Sequence, residues 1–408
     1  MVVIRGIFYA FLASLAVILL ASIFVPDSVF ASFLKAEMAP IMFFSLVVFL
    51  LLGYPVAFSL AALGLLYGIV GIELGLFKPS FFQALPNRLF GIIENDTLLA
   101  IPFFTFMGLI LERSGMAEDL LETIGQLFGP VRGGLAFAVI FVGALLAATT
   151  GVVAASVISM GLISLPIMLR YGYDRRLATG VIAASGTLAQ IIPPSLVLIV
   201  MADQIGRSVG DMYKGAILPG LVLTALYAGY VLGRTIFSPQ RAPALPPEAR
   251  TIKEDDGSAG YASLAAIVGA CIFGAWALSA SLGWEPIWST AFVGLVAYAL
   301  AMANRHLKLG ILSRLGEQVV IVMMPPLALI FLVLGTIFIG LATPTEGGAM
   351  GATGALALAL SYRRLSWNML KQAMDSTAKL TSFVIFILVG ARVFSLTFYG
   401  VNGDLWVE

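Results

Sequence analysis

Apolar stretches of roughly 20 residues, the length that crosses a bilayer core of about 30 Å as a helix, recur along the whole of this 408-residue chain. A chain that repeats this feature cannot fold as a soluble globule. Hydrophobic residues make up 60% of it and charged residues 11%, against about a quarter charged in soluble domains. Lipid is therefore the solvent for most of the molecule. A formal net charge of +1 excludes an electrostatic nucleic-acid binder. The single cysteine, Cys271, lies in an apolar run and reads as a packing residue. The single histidine, His306, sits in the basic loop Asn304–Lys308 with no acidic or thiol cluster beside it, which makes it a surface residue rather than a metal ligand. No His, Asp, Glu or Cys constellation faces one site, so the pattern is not that of a membrane enzyme.

The first stretch, Gly6–Val25, follows Arg5 and lacks the shorter apolar core and small-x-small site of a cleaved signal, so it reads as a retained helix with Met1 in the cytoplasm. Further crossings are expected at Met38–Gly53, Tyr54–Val70, Thr97–Leu111, Leu177–Ala202, Gly215–Gly233, Ala262–Ser281, Ile287–Ala303, Val319–Gly340, Thr345–Ser361 and Leu380–Leu396. The proline-rich, charged stretch Ser238–Gly260 reads as a loop joining two halves. Lys and Arg concentrate in Leu169–Arg176, Arg305–Arg314 and Tyr362–Lys379. All three are cytoplasmic only if Gly53-Tyr54-Pro55 is a tight turn between two crossings. Gly133–Leu169 is apolar but has Arg132 on one flank and Arg170 on the other. Splitting it at Thr149-Thr150-Gly151 leaves arms of about 24–27 Å, short of the core. That geometry points to a re-entrant hairpin opening to the cytoplasm. Two full short helices meeting outside are the plain alternative.

Two parts of the chain share a layout. One runs from Met38 through the turn at Gly53 to Glu94-Asn95-Asp96-Thr97 opening a helix. The other runs from Val319 through Ala342-Thr343-Pro344-Thr345-Glu346 to Asp375-Ser376-Thr377 opening a helix. Loop charge starts the first copy outside and the second inside, which is an inverted-topology repeat. The expected division is an extra helix and periplasmic loop (1–37), a first repeat (38–237) with the hairpin at 133–169, a cytoplasmic linker with connecting helices (238–318), and a second repeat (319–408). If the copies match in length, about 100 residues and a partner hairpin are missing from the second, and the chain reads as C-terminally incomplete.

The chemistry concentrates at interruptions of the apolar pattern. Ser185-Gly186-Thr187-Leu188-Ala189-Gln190-Ile191-Ile192-Pro193-Pro194-Ser195 lies inside an apolar crossing, with a break expected at Ile191–Ser195. Its paired prolines remove two backbone donors and free carbonyls one turn earlier. A desolvated Na⁺ satisfies such carbonyls, with the hydroxyls of Ser185, Thr187 and Ser195 as further ligands; a kink satisfied by neighbouring hydroxyls is the bland reading. The hairpin tip Ala147-Ala148-Thr149-Thr150-Gly151, with Ser156 just beyond, brings hydroxyls to the same depth, and two breaks meeting there favour the ion site. Helix N-termini pointing inward at that depth favour a carboxylate. Arg392, inside Leu380–Leu396, is either the partner of an anionic substrate or a side chain snorkelling outward. Glu346 reads as the cap of a turn, Glu112–Arg113 as structural at a helix exit, and Gly347-x-x-x-Gly351 as a helix-packing contact.

Seven motifs, in order, resemble the large membrane subunit of tripartite ATP-independent periplasmic (TRAP) transporters. They are Gly53-Tyr54-Pro55, Ala100-Ile101-Pro102-Phe103-Phe104 with Met107-Gly108, Gly133-Gly134-Leu135, Ala148-Thr149-Thr150-Gly151, Gly172-Tyr173-Asp174, Ile192-Pro193-Pro194-Ser195 and Ala342-Thr343-Pro344-Thr345-Glu346. The wording is most similar to the branch labelled for mannitol or chloroaromatic compounds. The resemblance implies an all-α polytopic inner-membrane protein with an inverted-repeat, elevator-type fold, importing a small organic anion with Na⁺ as the transported coupling ion and no organic cofactor. It implies two partners, a small membrane subunit of about four helices and a periplasmic substrate-binding protein. Under it, the candidate sodium ligands are Thr149, Thr150, Ser156, Ser185, Gly186, Thr187, Gln190 and Pro193, with Thr343 and Thr345 in the second repeat. The candidate substrate contacts are Arg392, Thr149, Gly151 and Ser195. Gly6–Val25 departs from the family's separate large subunit and resembles the connector of fused forms; the second Thr-Pro-Pro segment is absent. The rivals are a superfamily symporter that works without a binding protein and an ATP-driven permease, the latter disfavoured by short or proline-rich loops.

Overall fold

The computed structural model describes residues 29–150, 153–252 and 260–408, and every regular element among them is helical. Gly6–Val25 lies outside the described residues. In chain order the helices are α1 (Val29–Ala36), α2 (Met38–Leu51), α3 (Val56–Glu73), α4 (Leu85–Ile93), α5 (Ala100–Arg113), α6 (Met116–Phe128), α7 (Gly134–Thr150), α8 (Val153–Arg170) and α9 (Arg175–Thr187). They continue as α10 (Leu196–Ile205), α11 (Val209–Phe237), α12 (Tyr261–Leu282), α13 (Pro286–Leu307), α14 (Arg314–Phe338), α15 (Pro344–Ser361), α16 (Trp367–Gly400) and α17 (Gly403–Val407). Six of these, α3, α11, α12, α13, α14 and α16, are long and apolar enough to cross a membrane.

Boundaries follow local chemistry. Pro55 is the cap residue just before α3, after Gly53, whose φ of 80° is open to glycine but strained for other residues. The Asp174 side chain accepts the Leu177 N–H (3.1 Å) to start α9, and the Ser313 hydroxyl accepts the Gly316 N–H (3.0 Å) to start α14. Thr343 and Glu346 form a reciprocal capping box at the start of α15, as read for Glu346. Asn304, buried near the end of α13, accepts from the Ile311 N–H (2.9 Å) and donates to Glu317 Oε2 (2.7 Å), fixing the turn into α14.

Four expected elements need correction, and one expected break is found. Asp375-Ser376-Thr377 opens no helix. It lies inside α16, a run of 34 residues that carries no proline or glycine until Gly390, so nothing interrupts the backbone there. Leu177–Ala202 carries the break expected inside it, which parts it into two helices, α9 and α10. Thr345–Ser361 is not among the six long apolar helices, and neither are Met38–Gly53 (α2, 14 residues) and Thr97–Leu111 (α5, 14 residues, long enough only together with the bent stretch Phe81–Ile93 before it); α15 is rich in glycine, alanine and threonine and packs its glycine face closely on α5 and α14.

The described residues fall into two compact units, one within Met1–Asn95 and Lys379–Glu408, the other formed by Asp96–Ala378. In the first, α3 and the end of α16 touch backbone to backbone. A Cβ on Gly64 would lie 2.7 Å from the Val393 carbonyl, and one on Gly390 would strike the Ala57 carbonyl. Thr397 Oγ1 donates to the Gly64 carbonyl at 2.7 Å, and Tyr67 OH pairs with Ser45 Oγ at 2.8 Å. In the second unit, α6 to α9 share one core through Leu120, Ile124, Ala136, Val139, Met160 and Ile182. The linker joins that core: Ala242 and Leu245 are buried, and the Gly133 and Asp174 N–H groups donate to the carbonyls of Ala242 (2.9 Å) and Arg241 (3.0 Å).

Candidate functional site

The interruption in the α9–α10 region begins where α9 tightens into a 3-10 turn at Leu188–Gln190. Pro193 and Pro194 supply no N–H, so the carbonyls of Ala189 and Gln190 cannot be used by a continuing helix. Ser195 Oγ donates to the Gln190 carbonyl at 2.7 Å, and Ser195 is fully buried. That hydroxyl leaves its own lone pairs open while it satisfies one freed acceptor. Leu196 then restarts the helix.

α7 and α8 hold the end of α9 between them. A Cβ on Gly143 of α7 would lie 2.7 Å from Ser185 Cβ, and one on Gly186 would strike Val157 of α8. Fully buried Ser185 donates to the Ile182 carbonyl (3.0 Å). Leu188 and Ala189 pack with Ala144, Val153, Leu223 and Tyr227. Thr187 is exposed; its Oγ1 donates to the Ala184 carbonyl (2.7 Å) and shares a hydrogen bond with Tyr227 OH (3.2 Å). Ser156, in the first turn of α8, is buried. The structure thus gathers Ser185, Gly186, Thr187, Gln190, Pro193, Ser195 and Ser156 around one broken helix held by α7, α8 and α11. Thr149 and Thr150 are described only as the last turn of α7, and Gly151 lies outside the described residues.

Three candidates sit elsewhere. Thr343 serves the capping box, and Thr345 Oγ1 donates to the Asp96 carbonyl at 2.6 Å. The start of α15 borders a cavity of about 450 Å³ lined also by Asp203, Arg207, Ser208 and Gly340. Arg392 belongs to the first unit, half-buried between Gly390 and Val393 on the stretch of α16 that touches α3. Sequence reasoning missed Tyr227, which reaches Thr187 from α11, and Val157, which closes on Gly186. A lone tyrosine and a lone valine in apolar runs carry no signal of that kind.

Comparison with known proteins agrees with the motifs. Residues 43–408 match the family described as "Tripartite ATP-independent periplasmic transporter, DctM component". The C4-dicarboxylate TRAP transporter large permease protein DctM of Pseudomonas aeruginosa is 29% identical over 321 residues, covering 78% of this chain and 60% of that protein. The protein of the same name from Vibrio cholerae is 34% identical over 212 residues, 52% of this chain and 45% of that protein. The 2,3-diketo-L-gulonate TRAP transporter large permease protein YiaN of Escherichia coli is 24% identical over 343 residues, 84% of this chain and 64% of that protein. The chain thus spans about 60% of the Pseudomonas relative and 45% of the Vibrio one. These relatives are permeases rather than enzymes, and with the six apolar helices they make this a multi-pass protein of the bacterial inner membrane. With the match running from residue 43 to the last residue given, the chain belongs to the DctM-component family of tripartite ATP-independent periplasmic transporters.

Proposed function

We propose that the chain is part of the translocating subunit for Na⁺-driven import of a small organic anion. In this reading a periplasmic binding protein delivers the anion, a small membrane subunit of about four helices accompanies the chain, and the hairpin-bearing body moves as an elevator. The observation that carries the reading is the broken helix at Ile191–Ser195 held between two hairpin arms, with buried hydroxyls on both elements. Backbone interrupted at membrane depth needs compensation, and a desolvated cation supplies it while remaining releasable. The relatives' names, C4-dicarboxylate and 2,3-diketo-L-gulonate, support a carboxylate as the cargo.

The test is uptake by the full-length protein with its partners in proteoliposomes, as a function of external Na⁺. Ser195→Ala removes an oxygen from the break, and Thr149→Ala or Thr150→Ala removes one from the tip. Each is expected to raise the Na⁺ concentration for half-maximal uptake several-fold. Unchanged Na⁺ dependence in all three would reduce the break to a packing feature.

A further inference from the structure

Glu112 and Arg113 are neighbours at the end of α5, and their surroundings separate them. Arg113 is held by neutral side chains of α16, Nη1 donating to Gln372 Oε1 and Nη2 to Ser376 Oγ, both at 2.9 Å. Glu112 faces the hairpin arm α8, where the Ser159 hydroxyl donates to its carboxylate. Its other oxygen, Oε2, is sealed from solvent and has no hydrogen-bond partner among the described residues. A carboxylate oxygen in that state is among the costliest orphan groups a protein can hold, and it calls for an occupant. The charge acting on it is that of Arg113, two of whose donors are committed to α16.

A second oxygen marks the same face. Thr105 precedes Glu112 by seven residues, about two helical turns, so both lie on one side of α5. Its hydroxyl is likewise buried with no partner among the described residues, although a helical threonine ordinarily bonds a carbonyl one turn back. Across the seam, buried Ser156 lies about one turn from Ser159, toward the hairpin break. Arg364, from the basic segment Tyr362–Lys379, donates to the Ser114 carbonyl at 3.2 Å, which marks this end of α5 as the cytoplasmic one.

We infer that Glu112 and Ser159 form a seat for a monovalent cation on the seam between α5 and α8, apart from the oxygens around Ser185 and Ser195. One carboxylate matches one positive charge. The described residues hold no group of three or more acidic, histidine or cysteine side chains of the kind a divalent ion needs. Na⁺ and the proton share this chemistry. The seat's role, receiving the coupling ion on its way to the cytoplasm, rests on the proposed Na⁺-driven import; its ability to bind does not.

The experiment uses the full-length protein with its partners and two titrations of uptake, Na⁺ at fixed pH and pH at fixed Na⁺. Glu112→Gln is expected to raise half-saturating Na⁺ several-fold if Na⁺ occupies the seat, or to flatten the pH profile if the proton does. Should that variant fail to assemble, Ser159→Ala, which keeps the charge, is read by the Na⁺- and pH-dependent shift of unfolding temperature in detergent, because a ligand that binds only the folded state stabilises it. Na⁺ and pH responses identical to those of the unaltered protein, in whichever variants assemble, would overturn the seat. If Ser195→Ala alone loses its Na⁺ response, the import reading stands and the seat falls. If Glu112→Gln alone does, the seat stands and the hairpin site falls.

Discussion

Arg392 shows what a single residue discloses and what it hides. A guanidinium within an apolar helix costs about 2.5–3.5 kcal/mol on insertion scales, and that cost made it legible in the sequence. Its surroundings were not legible, because they depend on Gly390 and Gly64, two glycines in unrelated segments that let α16 and α3 meet at backbone distance. That contact fixes the helix turn carrying Arg392, so its charge is presented from a rigid element. Arginine grips a carboxylate through two parallel hydrogen bonds and lysine cannot. Arg392→Lys is therefore expected to assemble normally and lose most uptake, and Arg392→Ala to lose all of it, with the binding protein's own affinity unchanged. Normal transport by a folded Arg392→Ala complex would make the residue a surface anchor. Ser195 was legible for the opposite reason: two prolines beside a serine inside an apolar run leave few other ways to satisfy the backbone.

Among the elements, uniformly apolar runs were read closely and mixed ones were not. The expected Ala262–Ser281 is α12, Tyr261–Leu282, and the expected Ile287–Ala303 lies within α13. The amphipathic helices α4 and α6 were not anticipated, because short segments of mixed polarity read like polar loops; α6 is told apart by the face it buries, and α4 buries only Ile92. Thr149-Thr150-Gly151 was chosen as the split for its glycine and hydroxyls, and the helices on its two sides end and begin at Thr150 and Val153. The base of those arms offers an element-scale test. Tyr173, in the turn between α8 and α9, accepts the Leu135 N–H at 3.2 Å and so satisfies one of the free donors at the start of α7. Burial pushes its phenol up to about 12 from an ordinary 10. The sign follows from linkage: with the folded value above the unfolded one, this stability is fully present below pH 10 and is lost as pH rises from about 10 toward 12. Tyr173→Phe should lower stability by about 1 kcal/mol at neutral pH through the lost acceptor. It should also flatten the loss between pH 10 and 12 in thermal unfolding; an unchanged alkaline profile would separate Tyr173 from that loss.

At the scale of the whole molecule, sidedness joins the loop charges to the structure. The sequence places Leu169–Arg176 on the cytoplasmic side from its arginines, and Ser238–Gly260 with it as the cytoplasmic linker between halves. In the structure the linker lies along the open end of the hairpin: Gly133 donates to Ala242, Asp174 to Arg241, and the Leu245 N–H to the Gly129 carbonyl at 2.8 Å. Hydrogen-bonded backbones cannot lie on opposite faces of a bilayer, so Arg132, Tyr171 and Gln240 must share one side. By the positive-inside rule that side is expected to be the cytoplasm. Single cysteines at these three positions are expected to react with a membrane-impermeant thiol reagent only in inside-out vesicles. Labelling of one of the three from the periplasm would break the contact between linker and hairpin base, whereas labelling of all three from the periplasm would keep the contact and invert the topology. A cysteine at Gly151 then separates the two readings of the arms. A tip that stops inside the membrane should resist the reagent from the periplasm while the flanks react from the cytoplasm, and a loop between two full crossings should react from the periplasm at once.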